Sequence, residues 1–322
     1  APDHDRGQLA MLFPGQGSQY VGMLRDLAER YPVVRETLAE ADEVMLPILD
    51  RPLTDFIFGE GFGEGGHSAE AALVQTTITQ PAVLACDVAI LRLLAAHGVR
   101  PDLVVGHSLG EYGACVAAGV LGLGDAMRTV AARGREMSSA TPEGGDPGWM
   151  AAVTAPLEVV DEVLAKVEGY VIPANKNCSV QTIIAGATSA VKEAMDLFDA
   201  QGIGCMRLPV SHAFHSRIVA AASEPLGRVL SKTDLREPAL PILSNVTGEA
   251  YPTGTGAREE IIDLLSRQVA SPVEFIAEVE AMYDCGVRTF MEVGPKRAQA
   301  SFVANILGRR PHKSYITNHP KK

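Results

Sequence analysis

Two short apolar stretches of the chain each run into a glycine-rich turn and then into a helical pattern. The first is QLAMLFPGQGSQ, near the N-terminus, and the second is DLVVGHS, which ends at Ser108. Two further strand-like stretches, PILSNVTG and TFMEVGP, alternate with amphipathic stretches such as EEIIDLLSRQV. Strands that alternate with helices form a mainly parallel sheet that is covered by helices on both faces. The sequence therefore predicts an α/β fold.

The middle of the chain has a different order of elements. Its patterns read strand, helix, strand, strand, helix and strand, which is the β-α-β-β-α-β order of a ferredoxin-like unit. The segments are WMAAVTA, PLEVVDEVLAKV, YVIPANKN, QTIIAG, SAVKEAMDLFDAQG and CMRLPV. The loop TPEGGDPG precedes them. We therefore predict a small subdomain, residues 139–207, inserted into a large domain formed by residues 1–138 and 208–322, with a ligand site in the crevice between the two.

Length, charge and cysteine usage narrow the class of protein. With 322 residues and a net charge of −11, the chain can bury a large core, and its acidity argues against nucleic acid or a membrane surface as a partner. No apolar run approaches the roughly 18 residues that span a bilayer, and the N-terminus lacks the cationic start of a signal peptide. The five cysteines include no C-x-x-C pair, which predicts reduced thiols and no metal site in a cytoplasmic protein. Because the chain begins with Ala1 rather than Met, we expect a piece of a longer chain.

Ser108 is the candidate nucleophile. It lies in a G-x-S-x-G sequence between a predicted strand and a predicted helix. A tight turn there projects the hydroxyl outward, and the N-terminus of the helix offers unpaired N–H groups to an oxyanion. The bare motif is weak evidence, because a serine in a glycine-rich turn is also a common helix cap.

A serine nucleophile needs a base, and a charged substrate needs a counter-charge. His212 and His215 follow the predicted subdomain and so face the same crevice, where Gln268 could orient an imidazole. The helix GDAMRTVAARGREM carries three arginines. At 100° per residue, Arg133 and Arg135 flank its apolar stripe on opposite sides, and either could bind a substrate carboxylate through two parallel hydrogen bonds. Periodicity does not choose between them.

Six motifs occur in an order that resembles a known family. They are FPGQGSQ, GHSLGEY, ARGREM, SHAFHS, SRQVASPVEF and MEVGP, and they cover roughly residues 9–300. Together they resemble malonyl-CoA:acyl carrier protein transacylases and the acyltransferase domains of polyketide synthases. The resemblance implies an α/β-hydrolase-like large domain with an inserted ferredoxin-like subdomain. The GEYGA continuation and the short form are similar to the acyltransferases of iterative enediyne or polyunsaturated fatty acid synthases.

The same resemblance implies a role for individual residues. It makes Ser108 the nucleophile, His215 the base, Gln268 a neighbour of that base, and Arg133 the partner of the malonyl carboxylate. It places backbone N–H groups of Gln16 and Leu109 in the oxyanion hole and gives His107 a supporting role. Asn175 and Asn177 resemble an asparagine-containing segment that lines the cleft in the family. They are not counted as catalytic residues, because ANKNCS departs from the family pattern.

The implied activity is transfer of a malonyl group from malonyl-CoA, through an acyl-serine, to the phosphopantetheine thiol of an acyl carrier protein. It serves polyketide or fatty acid chain extension beside domains such as a ketosynthase, and it needs no metal or cofactor. Phe214 precedes the base and Leu109 follows the nucleophile, so we expect both to crowd a 2-substituent. In the family, H-A-F-H occurs in enzymes that use malonyl groups. We therefore expect malonyl to be preferred over methylmalonyl, with incomplete discrimination between the two.

Two alternatives stay open. The first is a serine esterase or thioesterase, which needs an acidic residue between serine and histidine in the chain. The aspartates in that interval, Asp125, Asp146, Asp161, Asp196 and Asp199, do not fall in an expected strand-end loop. The second is a catalytically inert docking module, which the intact set of predicted site residues disfavours.

Overall fold

The computed structural model of the protein describes residues 7–62, 68–141 and 144–321. The first six residues, which enter the signal-peptide argument, and residues 142 and 143 of the loop TPEGGDPG lie outside this part. The strands, in chain order, are β1 (Gln8–Phe13), β2 (Leu103–Gly106), β3 (Trp149–Val153), β4 (Val171–Cys178), β5 (Gln181–Gly186), β6 (Cys205–Arg207), β7 (Val287–Pro295) and β8 (Lys313–Asn318).

Helices surround these strands. In chain order they are α1 (Arg25–Arg30), α2 (Pro32–Leu49), α3 (Leu53–Phe58), α4 (Ala69–Leu73), α5 (Thr76–Ala96), α6 (Gly110–Ala117), α7 (Leu123–Ser138), α8 (Leu157–Leu164), α9 (Thr188–Ala200), α10 (Ser223–Leu230), α11 (Ala257–Arg267), α12 (Phe275–Asp284) and α13 (Ala298–Leu307). Two 3₁₀ segments, Arg217–Ala222 and Gln268–Ala270, complete them.

The large domain is built on a four-stranded parallel sheet in the order β2-β1-β7-β8. The predicted strand PILSNVTG is absent: Ile242 only bridges Val104, and Leu243 bridges Ala250. Pro241 cannot donate to a ladder, and Asn245 uses its side chain elsewhere, as described below. The polar C-terminal segment instead supplies β8, which lacks the apolar alternation that reveals a strand in sequence.

Helix α5 lies inside the large domain, where it contacts α2, α7 and β7. By length and composition it could cross a membrane, so the expectation that no segment is apolar enough is wrong for this helix. In the structure, 72% of its apolar window is buried. Burial of most of the helix accounts for its apolar composition.

The small sheet is antiparallel, in the order β4-β5-β3-β6. Helices α8 and α9 pack on it around a separate core that includes Val153, Ile184 and Phe198. This order and connectivity are those of a ferredoxin-like unit. The predicted fold class, a parallel α/β domain with an inserted antiparallel subdomain, is confirmed. The limits 139 and 207 for the insertion stay a prediction.

One edge of the small sheet is attached to the large domain. The backbone N–H of Lys176 donates to the carbonyl of Val273 at 3.0 Å, and the N–H of Val273 donates to the carbonyl of Ala174 at 2.9 Å. The Lys176 ammonium also pairs with Glu274 at 2.6 Å. Strand β4 is therefore held beside the large domain, along one side of the crevice between the domains.

Helix α6 starts directly after β2 and crosses very close to β1. A Cβ atom on Gly110 would lie 1.8 Å from the carbonyl oxygen of Phe13. A Cβ atom on Gly106 would lie 2.0 Å from the carbonyl carbon of Gly110. Both obstacles are backbone atoms that cannot rotate away, so glycine is required where α6 meets the sheet.

We expect Gly110→Ala to lower the free energy of unfolding by about 2–3 kcal/mol, because the methyl group must displace β1 or α6. Urea denaturation monitored by circular dichroism measures this. The matched control is Gly227→Ala, in α10, where the nearest atom to the new Cβ is 3.5 Å away. This control should be neutral or slightly stabilising. Equal stability of the two variants would contradict the close approach.

Candidate active site

Ser108 occupies a strained turn between β2 and α6. Its φ of +55° is in the left-handed region that favours glycine. The side chain of Asn245 holds the turn: its Oδ1 accepts from the Ser108 N–H at 2.5 Å, and its Nδ2 donates to the Gly106 carbonyl at 2.6 Å. One amide therefore compensates the strain and directs the serine hydroxyl into the crevice.

His215 contacts that hydroxyl. Its Nε2 lies 2.6 Å from Ser108 Oγ, and its Nδ1 lies 3.1 Å from the backbone carbonyls of Gln268 and of Ser271. Carbonyl oxygens only accept, so the proton of the neutral ring is on Nδ1, and Nε2 is free to accept from Ser108. The pair has the geometry of a nucleophile with its general base.

The imidazole of His215 is buried, with 3% of its surface exposed. Burial, and after it the nearby Arg133 and His107, lower its pKa to about 3. Each of these influences disfavours the imidazolium form. His215 is consequently neutral near physiological pH and able to take the serine proton.

The side chain of Gln268, which the sequence offered as one possible partner of the imidazole, forms no hydrogen bond with His215. The backbone carbonyl of Gln268 accepts from the ring instead, because the 3₁₀ turn at Gln268–Ala270 points it at Nδ1. The Gln268 side chain lies on the other side. Its Oε1 accepts from Arg133 Nη2 at 3.0 Å, and its Nε2 donates to the Ser108 carbonyl at 2.8 Å and to Glu111 Oε2 at 2.6 Å.

Arg133 is the arginine that enters the crevice. It is 2% exposed. Its Nη1 donates to Gln80 Oε1 at 3.0 Å, and its Nη2 lies 3.4 Å from Ser108 Oγ. Arg135 points to solvent and pairs with its neighbour Glu136.

The guanidinium of Arg133 retains N–H donors that have no acceptor in the described part of the chain. Within the described ranges no carboxylate forms a salt bridge with it, and its Nε has no hydrogen-bond partner. Burial lowers the pKa of Arg133, but an arginine keeps its charge in proteins. A buried cation that lacks a direct anionic partner is prepared to bind one.

Two backbone N–H groups near Ser108 have no acceptor among the described residues. They are the N–H groups of Gln16 and Leu109. The N–H of Ser108 is occupied by Asn245, so Leu109 is the first free donor at the start of α6. Gln16 also lines the crevice from the β1 side. The pair is suited to an oxyanion.

The crevice is a cleft of about 300 Å³ between the two domains. Most of its wall is apolar, formed by Met137, Met150, Ile183, Leu208, Val210, Phe214 and Phe302. Phe214 is part of this wall, and its contact with a 2-substituent stays a prediction. Leu109 is not part of it: its side chain is 1% exposed and packs in the core, so the expectation that it crowds the substrate is wrong.

His107 links the two domains next to the nucleophile. Its Nε2 lies 2.7 Å from Asn177 Oδ1, on β4, and its ring packs edge-on against Phe275. Burial lowers the pKa of His107. A neutral ring that donates from Nε2 to Asn177 fits both facts.

Several residues of the site escaped the sequence analysis. Asn175 and Asn177, which the sequence analysis did not count among the catalytic residues, line the cleft. Gln80, Glu111 and Asn245 carried no signal of their own, apart from the place of Glu111 in GHSLGEY. Their roles arise from contacts between segments that are distant in sequence.

Known proteins are similar to this chain in sequence and in structure. The family described as the acyl transferase domain matches residues 10–305. The malonyl CoA-acyl carrier protein transacylase of Bacillus subtilis is 36% identical over 304 residues, which are 93% of this chain and 90% of that protein. The spectinabilin polyketide synthase system protein NorB of Streptomyces orinoci is 39% identical over 308 residues, which are 95% of this chain but 14% of that much longer protein.

Solved structures of malonyl transacylases superimpose on this chain over most of its length. A crystal structure of MCAT from Streptococcus pneumoniae superimposes with a TM-score of 0.84 at 37% identity, covering 97% of this chain and 96% of that one. A malonyl-transacylase named PlMCAT, solved with a type II PKS acyl-carrier protein, gives a TM-score of 0.85 at 34% identity, covering 98% and 97%. On these grounds, the chain belongs to the acyl transferase domain family.

Proposed function

We propose that the protein transfers a malonyl group from malonyl-CoA to the phosphopantetheine thiol of an acyl carrier protein. The observation that carries this is the 3.4 Å separation of Arg133 Nη2 and Ser108 Oγ. In a malonyl thioester only one methylene separates the carboxylate from the thioester carbonyl. A carboxylate held by Arg133 therefore brings the carbonyl to Ser108.

The first half-reaction acylates the serine. The Ser108 hydroxyl passes its proton to Nε2 of His215, and its Oγ attacks the thioester carbonyl. The N–H groups of Gln16 and Leu109 stabilise the resulting oxyanion. The carbon–sulfur bond then breaks, and CoA leaves with the proton from His215.

The second half-reaction reverses these steps with a different thiol. The phosphopantetheine thiol gives its proton to His215 and attacks the malonyl-serine carbonyl. Ser108 leaves and regains its proton. The net exchange of one thioester for another is nearly isoenergetic, so the residues of the cleft are sufficient and no metal or further cofactor takes part.

The relatives support this assignment of partners. NorB is named as part of a polyketide synthase system, and PlMCAT was solved with an acyl carrier protein. We place the present chain beside a carrier protein and synthase domains such as a ketosynthase. A cytoplasmic location fits its five unpaired cysteines, of which Cys86, Cys115 and Cys178 are buried.

A serine hydrolase is the main alternative. That class orients its histidine with a carboxylate, whereas Nδ1 of His215 donates to two backbone carbonyls. A buried Arg133 is also of no use for a neutral ester. The inert docking module is disfavoured by the short contact between Ser108 and His215.

Brief incubation with malonyl-CoA should add one malonyl group to the intact protein, because Ser108 is activated by a neutral base. Mass spectrometry detects the adduct. Ser108→Ala should show none, and added carrier protein should remove the adduct from the wild type. Release of malonate without any adduct would favour a hydrolase, and no adduct with no turnover would favour the inert module.

We expect Arg133→Ala to reduce the preference for malonyl-CoA over acetyl-CoA by about 10²–10³-fold, because the carboxylate loses a desolvated partner that is worth roughly 3–4 kcal/mol. The ratio of the two kcat/KM values measures this. Arg135→Ala, on the exposed side of the same helix, is the control and should keep the preference. An unchanged ratio in Arg133→Ala would refute the role of Arg133.

Replacing Phe214 by Ala should raise kcat/KM for methylmalonyl-CoA relative to malonyl-CoA by about tenfold, because a pocket discriminates one methyl group by about 1–3 kcal/mol. Competition between the two CoA esters, followed by mass spectrometry of the acyl-enzyme, gives the ratio. Phe302→Ala changes a phenylalanine that lies beside His107 rather than beside His215 and should leave the ratio unchanged. Equal acylation by both esters in the wild type would contradict the role of Phe214.

A further inference from the structure

Glu111 is a fully buried acid three residues after the nucleophile, in the first turn of α6. Its Oε1 accepts from the Tyr251 hydroxyl at 2.5 Å. Its Oε2 accepts from Gln268 Nε2 at 2.6 Å and from the Asn245 N–H at 3.4 Å. An amide N–H can only donate, so Oε2 accepts both of its hydrogen bonds and carries no proton.

One amide connects this carboxylate to the cation of the cleft. Gln268 donates to Glu111 through Nε2 and accepts from Arg133 through Oε1. The amide dipole is thus aligned between the two charges. Burial raises the pKa of Glu111 to about 7, and the charge of Arg133 acts in the opposite direction. Glu111 in turn raises the pKa of Arg133 against the effect of burial.

The second acid nearby does not share this role. Glu278 is also fully buried, and its Oε1 accepts from Asn245 Nδ2 at 2.9 Å. Burial, and after it the charge of Glu111, raise the pKa of Glu278 well above its usual range. Among the described residues Glu278 bonds to Asn245 and not to Gln268, so Glu111 is the acid that is connected to Arg133.

We propose that Glu111 is a positioning residue that acts, through Gln268, as the resting counter-ion of Arg133 and sets how tightly the cleft holds a malonyl carboxylate. This rests on the proposed malonyl transfer. When the malonyl group binds, two carboxylates share one guanidinium. Glu111 thereby lowers the affinity of Arg133 for the malonyl carboxylate, so that the malonyl group can be transferred to the carrier protein.

Replacing Glu111 should change the affinity for a carboxylate in the opposite direction from the loss of a structural residue. A residue that only supported the fold would weaken malonyl and acetyl substrates together when changed. Removal of the Glu111 charge should instead strengthen the binding of a carboxylate, because the guanidinium is then uncompensated at a site of low effective dielectric constant. Release of the malonyl group in the second half-reaction should slow for the same reason.

Glu111→Gln keeps the size of the side chain and removes the charge. With malonate as a competitive inhibitor of malonyl-CoA, the inhibition constant should fall about fivefold or more, and the KM for malonyl-CoA should fall with it. The malonyl-to-acetyl ratio of kcat/KM should not fall. Glu278→Gln is the matched control, since it makes the same change in a buried acid that bonds to Asn245 rather than to Gln268, and its inhibition constant should stay at the wild-type value. Glu111→Asp retains the charge and should also stay near that value.

Gln268→Glu provides the reverse perturbation, because it puts a carboxylate directly on Arg133. Its inhibition constant for malonate should rise, and this holds as a test even where Glu111→Gln does not fold. An unchanged or raised constant in a folded Glu111→Gln, or an unchanged constant in Gln268→Glu, would overturn the inference. Failure of the wild type to form malonyl-Ser108 would instead refute the proposed transfer, so the two failures are distinguishable.

Discussion

The site depends on a charged side chain held inside the protein without a direct anionic partner. Burying a guanidinium costs several kcal/mol unless its hydrogen bonds are satisfied. For Arg133, the amide oxygens of Gln80 and Gln268 provide two acceptors. The Gln268 amide in turn connects Arg133 to the carboxylate of Glu111. This arrangement keeps the cation in place and leaves donors for a substrate.

The nucleophile has a second support on the opposite side. Asn245 holds the N–H of Ser108 and the carbonyl of Gly106, so the left-handed turn is retained by a segment far along the chain. With that N–H occupied, Leu109 offers the next one to an oxyanion. Backbone strain, the close approach of α6 to β1 and the free N–H groups are therefore aspects of one local geometry.

The two domains contribute differently to the cleft. The large domain carries Ser108, His215 and Arg133, whereas the small domain closes the opposite wall with apolar residues and with Asn177, which contacts His107. The backbone bonds between β4 and Val273 hold this wall in position. An apolar wall that excludes water strengthens every electrostatic contact inside and disfavours hydrolysis of the acyl-serine.

Local patterns in the sequence determined the α/β class, the order of the inserted subdomain, the serine turn and two candidate arginines, because each follows from spacing within a few turns of chain. Helix periodicity did not choose between Arg133 and Arg135; the family resemblance indicated Arg133, and the tertiary structure places Arg133 in the cleft and Arg135 in solvent. Only the tertiary structure decided that the carbonyl of Gln268 and not its side chain orients His215, and that the side chain of Leu109 is buried in the core. The contacts that link Glu111, Asn245 and Gln268 join residues more than 100 positions apart. Such hydrogen bonds exist only once separate segments pack together, and no local periodicity encodes them.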